Sequence, residues 1–163
     1  MKYYKTEYQS SLGKLTLVSD GHSLVGLWIE GQKYFESTID GEIVERDNLN
    51  IFTETKNWLD RYFKGEKPLA SELSLSPKGS PFRQKVWSIL CNIPYGKTVT
   101  YKEIAKKLGR DTMSAQAVGG AVGHNPISII IPCHRVIGSD GSMVGYAGGI
   151  DRKVWLLKHE GFV

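Results

Sequence analysis

The sequence predicts an α/β protein of two lobes, an N-terminal mixed lobe over residues 1–76 and a C-terminal helical lobe over residues 77–163. Three observations predict it. Short β-prone runs separated by turn residues occupy the first thirty positions, and capped amphipathic helical stripes dominate after residue 80. The charge also changes sign: residues 1–79 carry 10 Lys/Arg against 12 Asp/Glu, net −2, whereas residues 80–163 carry 11 against 5, net +6. A polyanion is the partner that such a basic half fits, although ordinary surface variation produces similar imbalances.

Each element has its own signal. Residues 3–8, 12–19 and 24–29 read as strands, divided by Ser10-Ser11 and by the turn-forming Asp20-Gly21. Residues 50–64 read as a helix with Asn50 as its cap and Phe52, Lys56, Leu59 and Phe63 on one face, stopped at Gly65-Glu66-Lys67-Pro68. Residues 69–79, with scattered Ser and Pro, read as a linker. Ser80 then caps a helix that begins with Pro81, its stripe formed by Phe82, Val86, Ile89 and Leu90. Thr100 or Thr98 caps a helix over residues 101–108, stopped by Gly109, and Ser114 starts another that runs through Val122. Two helices joined by a short Gly-containing connection fit a helix-turn-helix, a pattern many helical pairs share. Residues 127–131 read as a short apolar, β-branched strand leading into Pro132-Cys133-His134-Arg135-Val136. A glycine-rich loop over 138–149 and a closing helix over 151–159 follow.

Composition excludes several classes. No apolar run approaches the ~18 residues of a membrane span. The start, Met1-Lys2-Tyr3-Tyr4-Lys5, lacks a signal peptide's apolar core, which makes a cytoplasmic protein the expectation. Cys91 and Cys133 form no CxxC pair, and His22, His124, His134 and His159 match no metal-ligand spacing, so neither metal nor cofactor is expected.

Cys133 is the strong nucleophile candidate. A thiol reacts as thiolate, and an unperturbed one is only a few per cent ionised near neutrality. Adjacent His134 and Arg135 are expected to lower its pKa, and Glu160 is the carboxylate to orient the histidine. The same adjacency fits a buried structural cysteine beside a surface histidine. Cys91, at the end of an apolar helix face, reads as core filler, and Trp28, Trp58, Trp87 and Trp155 read as core aromatics. His22 and His124, beside glycines, read as solvated. The run Ser114-Ala115-Gln116-Ala117-Val118-Gly119-Gly120-Ala121 is unusual, because two consecutive helical glycines cost on the order of 1–2 kcal/mol relative to alanine. Such a bare helix admits close approach either by another helix or by nucleic acid, whose minor groove is only ~6 Å wide.

Ile131-Pro132-Cys133-His134-Arg135-Val136 resembles the active-site signature of the methylated-DNA–protein-cysteine methyltransferases, which repair 6-O-methylguanine. Pro81-Phe82-Arg83-Gln84-Lys85-Val86-Trp87 and Ile93-Pro94-Tyr95-Gly96-Lys97-Thr98-Val99-Thr100-Tyr101 look like that family in the right order. So do Ala117-Val118-Gly119-Gly120-Ala121, Asn125-Pro126, Gly145-Tyr146 and Trp155-Leu156-Leu157-Lys158-His159-Glu160-Gly161. The resemblance covers about residues 80–163.

It implies a ribonuclease-H-like mixed sheet in the first lobe and a winged-helix-like helical lobe with a helix-turn-helix in the second. It also implies a monomeric repair protein acting on double-stranded DNA with alkylated guanine, 4-O-methylthymine being a second candidate lesion. The damaged base is flipped from the stack at a cost of a few kcal/mol. Its alkyl group passes irreversibly to Cys133, one lesion per molecule. By the same resemblance His134 is the base acting through a water, Glu160 holds the imidazole, and Asn125 ties the helix pair to the reactive segment. Ser114, Gln116, Ala117, Gly119 and Gly120 meet DNA. Tyr101 helps to expel the nucleotide and, with Val136, Tyr146 and Ala147, forms the base pocket, while Arg135 is structural. One position departs: Gln116 stands where the family usually has arginine, which implies weaker, less salt-sensitive DNA binding. The cysteine set that holds zinc in some members is missing as well. A lesion binder without chemistry, a helix-turn-helix regulator and a thiol hydrolase are the competing readings. The first lacks a nucleophile, the second needs no Pro-Cys-His-Arg segment, and the third predicts turnover on acyl substrates.

Overall fold

The computed structural model describes residues 1–109, 115–143 and 145–162. Two compact units emerge. Met1–Lys78 joins Pro126–Ile130 in the first, and Gly79–Asn125 joins Ile131–Val163 in the second. The fold is the mixed α/β sheet lobe followed by a helical lobe that the sequence predicts.

In the first unit, β1 (Lys2–Ser10) pairs antiparallel with β2 (Gly13–Ser19), and β2 antiparallel with β3 (Leu24–Ile29). β4 (Glu42–Glu45) adds in parallel to β1, giving the order β3-β2-β1-β4. β3 is buried at every position, which is why Leu24-Val25-Gly26-Leu27-Trp28-Ile29 shows no polar alternation. The Asp20-Gly21 turn is made by the Asp20 carboxylate, whose Oδ1 accepts from the backbone N–H of His22 and Ser23, each at 2.9 Å. Tyr3, Val18, Val25 and Trp28 form a buried cluster, against which Ile39 and Ile43 pack.

α1 (Asn50–Phe63) buries Ile51, Phe52, Thr55, Trp58, Leu59 and Tyr62. Lys56 and Phe63, expected on that face, are half-buried, because the stripe is set by the larger Trp58 and Tyr62. Asn50 is the first helical residue rather than the cap. Leu49 holds the cap position, with no side-chain bond. Residues 69–79 are more ordered than a linker: a 3-10 turn spans Ala70–Glu72, Leu75 bridges to Leu24, and Trp58 Nε1 donates to Leu69 O at 2.8 Å. Nor do residues 127–131 form the expected strand. Ile127 makes one bridge to Leu27, and Ile129 then turns the chain at φ 71°, with Ile130 N–H donating to Ser128 O at 2.8 Å. A β-branched residue in that region costs on the order of 1–3 kcal/mol, and burial of Ile129 and its neighbours holds it there.

In the second unit, α2 (Pro81–Cys91) starts as expected, with Ser80 Oγ accepting from Arg83 N–H at 3.2 Å and Pro81 in its first turn. It buries Val86, Trp87 and Leu90, while Phe82 and Ile89 are half-buried. Cys91 is exposed, contrary to the core-filler reading, because the last residue of the helix falls off its buried stripe. β5 (Val99–Thr100) leads directly into α3 (Tyr101–Lys107), which is capped by Thr100 Oγ1 accepting from Glu103 N–H at 3.1 Å and released at Gly109 with φ 73°. α4 (Ala115–Gly123) packs against α2 and α3. Trp87 Nε1 donates to Ala121 O of α4 at 2.9 Å. β6 (Val136–Ile137) pairs in parallel with β5. α5 (Ile150–His159) follows, its Trp155 half-buried and stacked on His159 at 5.0 Å rather than lying in the core. Among the described residues no helix is long and apolar enough to cross a membrane.

Trp87→Phe removes the indole N–H together with part of a buried ring, leaving the Ala121 carbonyl without this donor. It is expected to lower unfolding stability by about 1–3 kcal/mol in urea titration, and an unchanged midpoint contradicts this role.

Candidate active site

The backbone around Cys133 is bent by Pro132, which sits at φ −82°, ψ 65°, the inverse γ-turn geometry, with Cys133 N–H donating to Ile131 O at 2.8 Å. One 3-10 turn, Cys133–Arg135, follows. It carries three consecutive chemistry-bearing side chains inward: Cys133 is 5% exposed, His134 0% and Arg135 7%. β6 continues from this turn and pairs Val136 with Val99 and Ile137 with Thr100, which brings the first residue of α3, Tyr101, beside the reactive segment.

Glu160, at the C-terminal end of α5, organises the side chains. Its Oε2 lies 2.6 Å from His134 Nε2 and accepts from Arg135 Nη2 at 3.0 Å. Its Oε1 accepts from Arg135 Nε at 2.8 Å and from Gly96 N–H at 3.1 Å. Arg135 Nη1 donates to Ile93 O at 2.7 Å, and its guanidinium lies over the Tyr95 ring at 5.7 Å. The Ile93-Pro94-Tyr95-Gly96 turn is therefore a frame for this ion pair. Gly96, at φ 76°, is the residue that can both turn the chain and present its N–H to the carboxylate. Burial by itself raises a carboxyl pKa. Here the hydrogen bonds and charges of His134 and Arg135 outweigh it and hold Glu160 far below the ordinary carboxylate range.

His134 is shifted the other way. Burial lowers its pKa, the bond and charge of Glu160 only partly offset this, and Arg135 and Lys153 lower it further. The ring is neutral, with Nε2–H donating to Glu160. Its buried Nδ1 has no hydrogen-bond partner among the described residues, which leaves a lone pair able to accept a proton.

The expected lowering of the Cys133 thiol by His134 and Arg135 is not found. Burial raises it, and the opposing influences are a hydrogen bond from Asn125, the charge of Lys153 and its own backbone. His134 is neutral and Arg135 is consumed by Glu160, so neither delivers positive charge to sulfur. Lys153, absent from the sequence reading, is fully buried on α5, donates from Nζ to Val136 O, and has its pKa lowered to about 8 by burial against the opposing pull of Cys133. The signal existed: Lys153 lies three, four and seven residues before Leu156, Leu157 and Glu160, on the buried stripe.

Asn125 is buried at the end of the α4 segment, and its Nδ2 donates to Ile131 O at 2.8 Å. Tyr101 is half-buried, and burial followed by the nearby Cys133 raises its phenol, so it stays protonated. Val136 is buried. Tyr146 is buried with its ring edge-on to His134, centroids 6.5 Å apart, and Ala147 is half-buried beside it in sequence. Gln116, Ala117 and Gly120 are exposed on α4, and Gly119 is half-buried there, facing the Tyr101 ring. Ser114 lies outside the described residues. Among those residues no three His, Cys, Asp or Glu side chains gather as a metal site.

Two family models match the chain: "6-O-methylguanine DNA methyltransferase, ribonuclease-like domain" over residues 3–77 and "6-O-methylguanine DNA methyltransferase, DNA binding domain" over residues 81–162. The chain is 40% identical over 157 residues to the methylated-DNA–protein-cysteine methyltransferase of Haemophilus influenzae, spanning 96% of this chain and 86% of that protein. It is 45% identical over 153 residues to the Methanosarcina barkeri protein of the same name, spanning 93% of each. Among solved structures it is similar to Mycobacterium tuberculosis OGT in complex with DNA, with TM-score 0.85 and 39% identity, covering 98% of this chain and 92% of that one.

The shifts at His134 and Glu160 make the fold acid-sensitive. Both groups bind protons more weakly when folded, so the unfolded chain takes them up first. The contribution of these two groups is complete above the unfolded His value of about 6.5, declines below it, and falls further below the unfolded Glu value of about 4.3. The urea midpoint should drop progressively between those values, and a level midpoint from pH 7 to 4 contradicts the assignment.

Proposed function

The chain belongs to the 6-O-methylguanine DNA methyltransferase family, DNA-repair proteins that move an alkyl group onto a cysteine, and we propose that Cys133 is its acceptor and Glu160-anchored His134 its base. The observation that carries this reading is the buried His134, clamped at Nε2 by the Glu160 carboxylate, with no partner for its Nδ1 among the described residues, in the same 3-10 turn as the buried Cys133.

In the reaction, the Cys133 proton leaves through a water to His134 Nδ1 as sulfur attacks the methyl carbon. The S–C bond forms while the bond to guanine O6 breaks, the electron pair passes to the base, and the base takes up the equivalent of the cysteine proton, which leaves His134 neutral again. Thiol and 6-O-methylguanine thus become thioether and guanine, with no hydrolytic route back. Removing the proton in step with attack compensates for a thiol that burial keeps neutral at rest. Lys153 supplies a charge that favours sulfur as it becomes anionic, and the Asn125 hydrogen bond acts in the same direction.

DNA is the partner, as for the tuberculosis relative. We assign its contact surface to α4, where Gln116, Ala117 and Gly120 are exposed and Gly119 half-buried, with Ser114 just before them. A nearly bare helix of this kind enters a narrow groove without side chains in the way. Tyr101, Val136, Tyr146 and Ala147 then receive the flipped guanine, in a protein working as a cytoplasmic monomer.

Intact-mass measurement after incubation with methylated duplex is expected to give one added methylene per protein, absent in Cys133→Ser, with no further turnover when DNA is in excess. Multiple turnovers, or a modified Cys133→Ser, overturn the assignment. His134→Gln should slow transfer by about 10²–10⁴-fold in single-turnover assays, and transfer at the wild-type rate removes His134 from the mechanism. Gln116→Arg should tighten duplex binding and steepen its logarithmic salt slope by about 0.9 for one added phosphate contact, and identical affinities across the salt series refute the role of Gln116.

A further inference from the structure

Tyr101 is seated between two glycines. A β-carbon built on Gly119 of α4 would lie 3.9 Å from Tyr101 Cε1, an ordinary contact. One built on Gly145, in the loop before α5, would lie only 2.6 Å from the Tyr101 hydroxyl oxygen and 3.6 Å from Cζ. Real β-carbons essentially never come within 2.6 Å of another heavy atom, so an alanine at 145 requires the hydroxyl of this half-buried ring to shift. Gly145 also adopts φ 87°, which glycine tolerates at little cost. The hydroxyl that meets Gly145 belongs to the same ring that lies near Cys133.

We propose that Gly145 is a positioning residue for the alkyl transfer: its bare α-carbon lets the Tyr101 hydroxyl settle against the loop, and any side chain there displaces that hydroxyl from the base pocket. This rests on the reading of Tyr101 as a pocket residue. The requirement is specific to the hydroxyl. With phenylalanine at 101 the nearest ring atom lies 3.6 Å from an alanine methyl at 145, which is normal packing.

The test is a double-substitution cycle with Gly145→Ala and Tyr101→Phe, singly and together, and Gly141→Ala as the backbone control. Gly141 has φ 84° in the same loop, and a β-carbon there would meet nothing within 4 Å. Gly145→Ala should slow single-turnover methyl transfer by on the order of 10- to 100-fold, while modification of Cys133 by iodoacetamide stays within about twofold of wild type. In the Tyr101→Phe background the same alanine should change the rate by less than about twofold, and Gly141→Ala should leave transfer unchanged. Equal slowing in both backgrounds, equal slowing by Gly141→Ala, or no slowing by Gly145→Ala overturns the proposal. The Tm cycle tests the contact without reference to chemistry. Gly145→Ala should lower Tm more with Tyr101 present than with Tyr101→Phe, and equal losses overturn it. Wild-type protein that gains no methyl on Cys133 overturns the parent function, and with it the role of Gly145, whatever the Tm cycle gives.

Discussion

The second unit is built around one buried carboxylate. An ionised Glu160 with its oxygens out of water costs several kcal/mol unless its hydrogen-bonding positions are filled, and here four donors fill them. Two come from Arg135, one from His134 and one from the backbone of Gly96. Three stretches distant in sequence are thereby committed to one another: the turn at residues 93–96, the 3-10 turn after Pro132, and the end of α5. Their composition follows from this. The turn needs a glycine at positive φ and an aromatic under the guanidinium, the reactive segment needs His and Arg in succession, and the helix must end on an acid.

The same carboxylate decides the electrostatics of the thiol. By consuming the Arg135 charge and orienting an uncharged His134, it leaves sulfur in an environment that favours the protonated form. Only Asn125, the backbone and Lys153 oppose this, and Lys153 is itself weakened as a cation by burial. The arrangement therefore does not maintain a permanent thiolate, and the neighbouring residue in the same turn is an uncharged imidazole.

Much of this was legible in the residues. Ser80-Pro81, Thr100 and the closing stripe of α5 signalled helix starts and faces through local chemistry, and they fold as read. The resemblance carried by the Pro-Cys-His-Arg segment marked the family that the chain belongs to. What sequence missed depends on tertiary packing. Residues 127–131 have the composition of a strand, yet burial forces Ile129 into a tight turn that β propensity does not encode. Cys91 looked apolar by company and ended up exposed, because one residue past the stripe rotates off it. Lys153 was invisible as a functional group since lysine on a helix is normally solvated, although its spacing to Glu160 held the clue. The direction of the thiol shift was misread because adjacency in sequence says nothing of whether a charge is already spent elsewhere.

A residue that can be used once has a problem ordinary nucleophiles lack, namely survival until the right encounter. Cys133 is nearly sealed from solvent, and burial biases it toward the less nucleophilic form. Peroxide and stray electrophiles act chiefly on accessible thiolates. The buried sulfur is thus shielded from such reagents, whereas Cys91 is exposed, although partial burial raises its thiol as well.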